Sequence, residues 1–143
     1  KREANDEDER QGTVVQVAAG LICHSGRYLI AKRKPGAHLG GLWEFPGGKR
    51  EGGESMEECL QRELREELGI EVAGPKLFRV IRHEYPEKTV ELHFFLCDVF
   101  SGTPEPHGCE ALVWVGPQEI GSYEFPPADR PVVDALMRGD SGV

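Results

Sequence analysis

Apolar residues run almost unbroken from Val14 to Cys23, interrupted only by Gln16 and Gly20, within a strand candidate at Thr13–Cys23, and the His24-Ser25-Gly26 turn returns it to a second strand candidate at Arg27–Ala31. This pattern predicts a pair of strands joined by a tight turn. Lys32 to Leu42 is basic and Gly-rich and predicts a loop, and Trp43 to Gly48, with Pro46 and paired glycines, predicts no regular element. The periodicity then changes from two to nearly four. Leu60, Leu64 and Leu68 form one apolar stripe over Ser55–Leu68, the clearest helix in the chain. Ser55 followed three residues later by Glu58 makes a capping box, and Gly69 stands where a helix ends in a left-handed residue. Lys76–Glu84 and Thr89–Phe100 predict two antiparallel strands around Tyr85-Pro86-Glu87-Lys88. Ser101 to Glu110 reads as a Gly/Pro loop and Ala111–Val115 as a short strand. Pro126-Pro127 opens a last helix running to about Met137, since proline is tolerated in a first turn. This order of elements predicts a mixed sheet carrying helices, of the α/β or α+β class.

The length of 143 residues suits one domain, placed at residues 12–138 with polar tails at 1–11 and 139–143. The tail at 1–11 is almost wholly polar, lacks the apolar stretch of a signal peptide, and is expected to be disordered. A first residue other than Met suggests a trimmed chain or a piece of a longer one. No apolar run approaches the ~20 residues of a membrane span. The net charge of −8 argues against a surface for duplex nucleic acid and favours a small, metal-chelated anion as partner. Cys23, Cys59, Cys97 and Cys109 form no C-x-x-C pair and read as reduced thiols of a cytoplasmic protein, Cys59 and Cys97 packing in the core. Monomer and homodimer both stay open.

Acid is concentrated on the central helix, at Glu57, Glu58, Glu63, Glu66 and Glu67. A solvated face is the ordinary explanation of such a helix. Here, however, Glu63 and Glu67 lie one turn apart with Glu66 beside them, a mildly repulsive arrangement unless a cation sits between them. Hard divalent ions with oxygen ligands, Mg²⁺ first, meet that need. Arg62 precedes Glu63 and stands one turn before Glu66, where it can hold a carboxylate in place. Gly47-Gly48 and Glu51-Gly52-Gly53-Glu54 feed the helix with backbone that can approach a metal or phosphate closely.

These residues carry a specific resemblance. Gly48, five residues, Glu54, seven residues, then Arg62-Glu63-Leu64-Arg65-Glu66-Glu67-Leu68-Gly69-Ile70 matches the Nudix box G-x5-E-x7-R-E-U-x-E-E-x-G-U, with U aliphatic, at every defined position. Seven positions are fixed residue types, and at roughly one in ten per position a chance match is on the order of 10⁻⁷. The resemblance implies a mixed sheet sandwiched between helices and hydrolysis of a nucleoside diphosphate linked to another moiety, with Mg²⁺ as cofactor and Mn²⁺ the alternative. It implies that Glu63, Glu66 and Glu67 are metal ligands or the water-activating base and that the Gly47 carbonyl also lies on the metal. Arg62 would orient Glu63 or its neighbours, while Gly48, Glu54 and Gly69 shape the loop–helix–loop. A further catalytic carboxylate is expected from the loop before Trp114, with Glu110 first and Glu105 second. No Ser, Cys or His nucleophile is required, so His24, His83, His93 and His107 are read as surface or packing residues.

Outside the box, from Val14 to Met137, the chain is similar to the MutT subgroup, which clears oxidised guanine nucleotides. Ala31-Lys32-Arg33, Glu44-Phe45-Pro46-Gly47-Gly48-Lys49 and Phe125-Pro126-Pro127-Ala128-Asp129 have counterparts there. The similarity implies Arg33 near the phosphates, Phe45 at the base and Asp129 on the base edge. The bacterial pattern usually has Asn at that last place, and an ionised Asp accepts hydrogen bonds without donating any. Asp129 as a cap of the last helix, and Phe45 as core alone, stay open beside these roles. Three functions follow: an 8-oxo-dGTP diphosphatase, a Nudix enzyme of CTP-type nucleotides or ADP-ribose (Pro86 lies shortly past the box), or a damaged-base recognition domain like that of adenine glycosylases. The intact Glu63/Glu66/Glu67 set speaks against the last.

Overall fold

The computed structural model describes residues 13–140. The expected tail at 1–11 and residues 141–143 of the expected C-terminal tail lie outside the described residues. Nine strands and two helices follow one another. The first strands are β1 (Thr13–His24), β2 (Arg27–Lys32), β3 (Trp43–Glu44) and β4 (Gly47–Lys49). Helix α1 (Met56–Leu68) comes next, then β5 (Glu71–Val72), β6 (Lys76–Glu84), β7 (Lys88–Cys97), β8 (Phe100–Ser101) and β9 (Ala111–Val115), and finally α2 (Arg130–Met137).

The main sheet runs β3-β2-β1-β7-β6, with β4 added on β1 and β9 on β2. β1 and β7 are parallel from Thr13/Lys88 to Ile22/Cys97, whereas the other pairs are antiparallel. The sheet is therefore mixed, and helices cover both faces. Alternation along β1 sends Ala18 and Ile22 toward α1, and Ala19, Leu21 and Cys23 toward α2.

Helix α1 forms where the sequence predicts it. The Ser55 hydroxyl accepts from the Glu58 N–H, the Glu58 carboxylate accepts from the Ser55 N–H, and Gly69 closes the helix at φ 74°. Cys59, Leu60, Leu64 and Leu68 are buried against the sheet. Burial of each leucine side chain contributes roughly 1.5–3 kcal/mol. Gly20 makes room for this packing, since a Cβ there would stand 3.2 Å from Leu64 Cδ1. Its interruption of the apolar run is a helix-docking notch. Cys97 is buried too, as expected of it with Cys59.

The structure departs from the sequence reading in short elements. Trp43–Gly48, expected to be irregular, supplies β3 and β4 on either side of Phe45-Pro46. β4 lies so close to β1 that a Cβ at Gly47 would collide with the Ala18 carbonyl, so the glycine that weakens strand propensity is what permits the pairing. β7 ends at Cys97 rather than Phe100, and Phe100–Ser101 pairs instead with Glu71–Val72. The last helix begins as a 3-10 turn at Pro127–Asp129 and becomes α-helical at Arg130. No helix among the described residues is long and apolar enough to cross a membrane.

Because Leu64 is fully buried between α1 and β1, Leu64→Ala is expected to destabilise the fold by about 2–5 kcal/mol. Chemical denaturation measures this, and a loss below about 1 kcal/mol would contradict the docking geometry.

Candidate active site

The box residues converge through one guanidinium. Arg62 Nε pairs with Glu54 Oε2, and its Nη2 donates to Glu54 Oε1 (3.2 Å) and to the Lys49 carbonyl (3.0 Å). Its Nη1 donates to Glu63 (2.9 Å) and Glu66 (3.3 Å). These bonds, that to Glu54 first, hold Arg62 firmly in its charged form and keep Glu54 below the usual carboxylate range. Gly48 lies beneath the Glu63 carboxylate, which a Cβ there would strike. Glu63 is thus fixed between Arg62 and a glycine, while Glu66 is more exposed at the surface of α1.

Glu67, one turn beyond Glu63, turns into the cleft rather than to Arg62. One oxygen accepts the Gly47 N–H at 3.3 Å. Burial first, then repulsion from Glu44 and Glu63, pushes its carboxyl up to about 8; the Gly47 N–H and Arg33 act in the opposite direction. Glu44 comes from β3, where it pairs with Arg33 at 2.5 Å, and burial raises its own proton affinity. Arg33 also donates to the His38 carbonyl at 2.6 Å. Asp129 completes the group: burial, with Glu44 as a second cause, pushes it up to about 7, against the pull of Arg33.

These side chains line one cleft of about 330 Å³. Of the expected site residues, Arg33, Phe45, Gly47, Glu67 and Asp129 form its walls. Phe45 is both wall and core, stacked on Phe125 at 5.1 Å and edge-on to Phe94 at 6.0 Å. Asp129 makes no capping bond to α2, so the capping role left open by the sequence is not what it does. Glu63 and Glu66 stand beside the cleft on α1, gathered by Arg62.

The two carboxylates expected from the loop before Trp114, Glu110 and Glu105, do not line this cleft. The Glu110 side chain is exposed at the head of β9, where its N–H is held by the Lys32 carbonyl, and Glu105 turns to His107 at 3.1 Å. Backbone bonds from Glu105 and His107 to the carbonyls of Leu68 and Glu67 press this loop on the end of α1. Gly108 and Cys109 are therefore the loop residues beside Glu67. The acid added to the cluster is Glu44, which sequence reasoning passed over as part of a motif. Its signal was the Arg33–Glu44 charge pair across a predicted loop. Two histidines also lie in the cleft wall, His38 and His83, the latter 4.6 Å from the Tyr85 ring.

The oxygens of Glu63, Glu66 and Glu67 and the Gly47 carbonyl form a hard donor set suited to a divalent cation. Glu67 is the test of that fit, because a cation among Glu44, Glu63 and Glu67 would relieve the repulsion that raises its proton affinity. As placed, Glu63 and Glu66 point to Arg62, so among the described residues no three acidic, His or Cys side chains form a ready-made metal cage. A cation must draw them from the guanidinium.

A mixed sheet between two helices, with this loop–helix–loop at one end of the cleft, defines a class of protein. The NUDIX domain model matches residues 17–135, and the chain belongs to the Nudix family. It is 40% identical to the CTP pyrophosphohydrolase of Escherichia coli over 124 residues, covering 87% of this chain and 92% of that protein. It is 34% identical to the E. coli 8-oxo-dGTP diphosphatase over 125 residues, or 87% of this chain and 97% of that one. Among solved structures, the E. coli ORF135 protein superposes with a TM-score of 0.82 at 37% identity, covering 92% of this chain and 94% of that chain. The chain is thus a MutT-like Nudix hydrolase, a pyrophosphohydrolase by family.

The buried Asp129 carries a stability consequence. Its proton is held to about 7 in the folded chain against an ordinary 3.8, so stability is lost as pH rises between those values. Asp129→Asn removes that loss. The variant is expected to gain on the order of 1–3 kcal/mol over the parent above pH 7, with the gain vanishing toward pH 4. Unfolding midpoints across this range measure it, and a pH-independent difference would contradict the burial of an ionising group.

Proposed function

We propose that this chain hydrolyses nucleoside triphosphates to the monophosphate and pyrophosphate with Mg²⁺, or Mn²⁺ in its place, and that 8-oxo-dGTP is its foremost substrate. The observation that carries the reading is the continuity of one cleft from the Glu67 carboxylate of α1 to Phe45 and Asp129. That span matches a nucleotide laid with phosphates at Arg33 and base at Asp129.

Glu63, Glu66, Glu67 and the Gly47 carbonyl would hold the metal. When bound, a divalent ion neutralises leaving-group charge and lowers the pKa of a water. The chain's own groups supply positioning. Arg62 presents Glu63 and Glu66, Arg33 offers its guanidinium to the phosphates, and the Phe45 ring gives the base an apolar wall. Glu67 is the α1 carboxylate that lines the cleft itself, where it accepts the Gly47 N–H at 3.3 Å.

Asp129 supports the guanine-like base and also a second reading. Ionised, it accepts two adjacent N–H bonds, as N1 and N2 of 8-oxoguanine offer. Protonated, it donates one bond and accepts one, the complement of N3 and N4 of cytosine. Titrating near 7, it populates both forms. The likeness to a CTP pyrophosphohydrolase is the other support for a cytosine nucleotide as the second substrate class. A non-catalytic base-reading domain has less support, because every carboxylate of the box is present. Cytoplasm, where such nucleotides are found, fits four unpaired cysteines.

Glu67→Gln is expected to lower kcat by 100-fold or more, about 2.7 kcal/mol; a loss under tenfold would falsify its assignment. A product assay with 8-oxo-dGTP, dGTP, dCTP, CTP and ADP-ribose tests the substrate, and turnover of none would return the base-reading domain to first place. Raising pH from 6 to 8 is expected to shift relative kcat/KM several-fold from CTP toward 8-oxo-dGTP, as Asp129 ionises. In Asp129→Asn that shift should disappear; its persistence would assign base selection elsewhere.

A further inference from the structure

On the face of the sheet that carries α1, beyond the helix's reach, polar side chains make a continuous row. Gln16 shares the face of Ala18 on β1, and Glu91 and His93 share the face of Phe95 on β7. Gln16 Nε2 donates to Glu91 Oε1 at 2.9 Å, and His93 Nε2 meets the same oxygen at 2.9 Å. Arg82, across from Glu91 on the edge strand β6, donates to its other oxygen at 3.0 Å. Both oxygens of Glu91 are thereby engaged, and the Gln16 amide is held with its nitrogen toward the carboxylate. Its oxygen then faces the other way, where it accepts Arg50 Nε at 2.8 Å. Arg50 Nη1 continues the row to the Glu54 carbonyl at 2.9 Å.

Glu54 stands in a loop that little else restrains. Gly52 and Gly53 would have open space around a Cβ, and Gly53 lies at φ +88°. Within the loop, Glu51 and Glu54 bond only to each other, through the Glu51 carbonyl and the Glu54 side chain. The connections outward are Arg50 on the Glu54 main chain and Arg62, on the Glu54 carboxylate and, at 3.7 Å, on Glu51. Arg62 in turn holds Glu63 and Glu66. A displacement of Glu54 is therefore passed to the carboxylates of α1.

We infer that Arg50, Gln16 and Glu91 form a strut that ties the Glu54 loop to the sheet and so positions the carboxylates proposed to hold metal. Arg50 falls at an undefined position of the Nudix box, and Gln16 and Glu91 lie outside it. They are positioning residues that act through Glu54 and Arg62. The inference rests on the metal-binding role proposed for Glu63, Glu66 and Glu67, and adds the support that pre-sets them.

The test is Mn²⁺ binding to the purified full chain by calorimetry and electron paramagnetic resonance, without nucleotide, alongside steady-state kinetics and melting curves. Arg50→Gln and Gln16→Met are each expected to weaken Mn²⁺ binding about tenfold, the scale seen when groups supporting metal ligands are removed. Their kcat/KM should fall at limiting Mg²⁺ and return to within about twofold at saturating Mg²⁺, with nucleotide KM unmoved. The double variant should lose little more than either single one, as members of one chain of bonds do. A loss of Mn²⁺ affinity below about threefold, whatever the melting temperature, overturns the strut. Should either variant fail to fold, Glu91→Gln keeps the size of the side chain, removes its charge, and is read by the same threshold. Glu63→Gln separates the two levels. If it binds Mn²⁺ as the parent does, the metal assignment and the strut fall together. If it loses binding while Arg50→Gln does not, the strut alone falls.

Discussion

Three acidic side chains in five residues of one helix repel one another, and the Arg62 guanidinium is the internal cation that makes this tolerable. It takes Glu63 and Glu66 on one nitrogen and Glu54 on the other two. Consequences spread in both directions. The loop before α1 must return to the helix, so it needs glycines and an acid at its end. The strand before that loop must let Glu63 lie over it, so Gly48 has no side chain. The same pairing keeps the carboxylates ordered without metal, and would give an incoming cation a competitor to displace.

Glu67, one turn beyond Glu63 on the same face, is out of Arg62's hydrogen-bonding set and turns to Gly47 in the cleft. There it meets Glu44 and, through Glu44, Asp129, with Arg33 as the nearby cation. One guanidinium among three acids, Asp129 buried and Glu44 and Glu67 half-buried, leaves an excess of negative charge, and the excess appears as raised proton affinity at both ends. Near Glu67 that is the electrostatic condition for binding a divalent ion. Near Asp129 it is the condition for a side chain that both accepts and donates hydrogen bonds close to neutral pH. Family membership sets the reaction class, whereas the choice of base is proposed to turn on this far end of the cleft, where Asp129 stands.

Much of the fold was legible in the chain because its long elements announce themselves locally. The apolar run of β1 and the four-residue stripe of α1 each exceed what a few tertiary contacts could overturn. The short strands did not announce themselves. β4 exists because β1 offers free backbone along one edge, first to β4 and then to β2, with the Pro46 carbonyl accepting the Gly20 N–H between them. β3 exists because the end of β2 beyond β1 is free to pair. β5 and β8 are two residues each and pair across the intervening hairpin.

The sequence by itself determined the reaction class and the acids of α1, because fixed spacing on one helix sets which carboxylates share a face. It also determined the helix caps and the core stripe, which depend on neighbours within a turn. Only the tertiary structure decided that Glu44 rather than Glu110 joins Glu67, that Asp129 leaves its helix end uncapped to face the cleft, and that Gln16 and Glu91 reach the Glu54 loop. Each of these joins strands or loops far apart in the chain. Their distances depend on sheet order and on the packing of α1, which no local pattern of residues encodes.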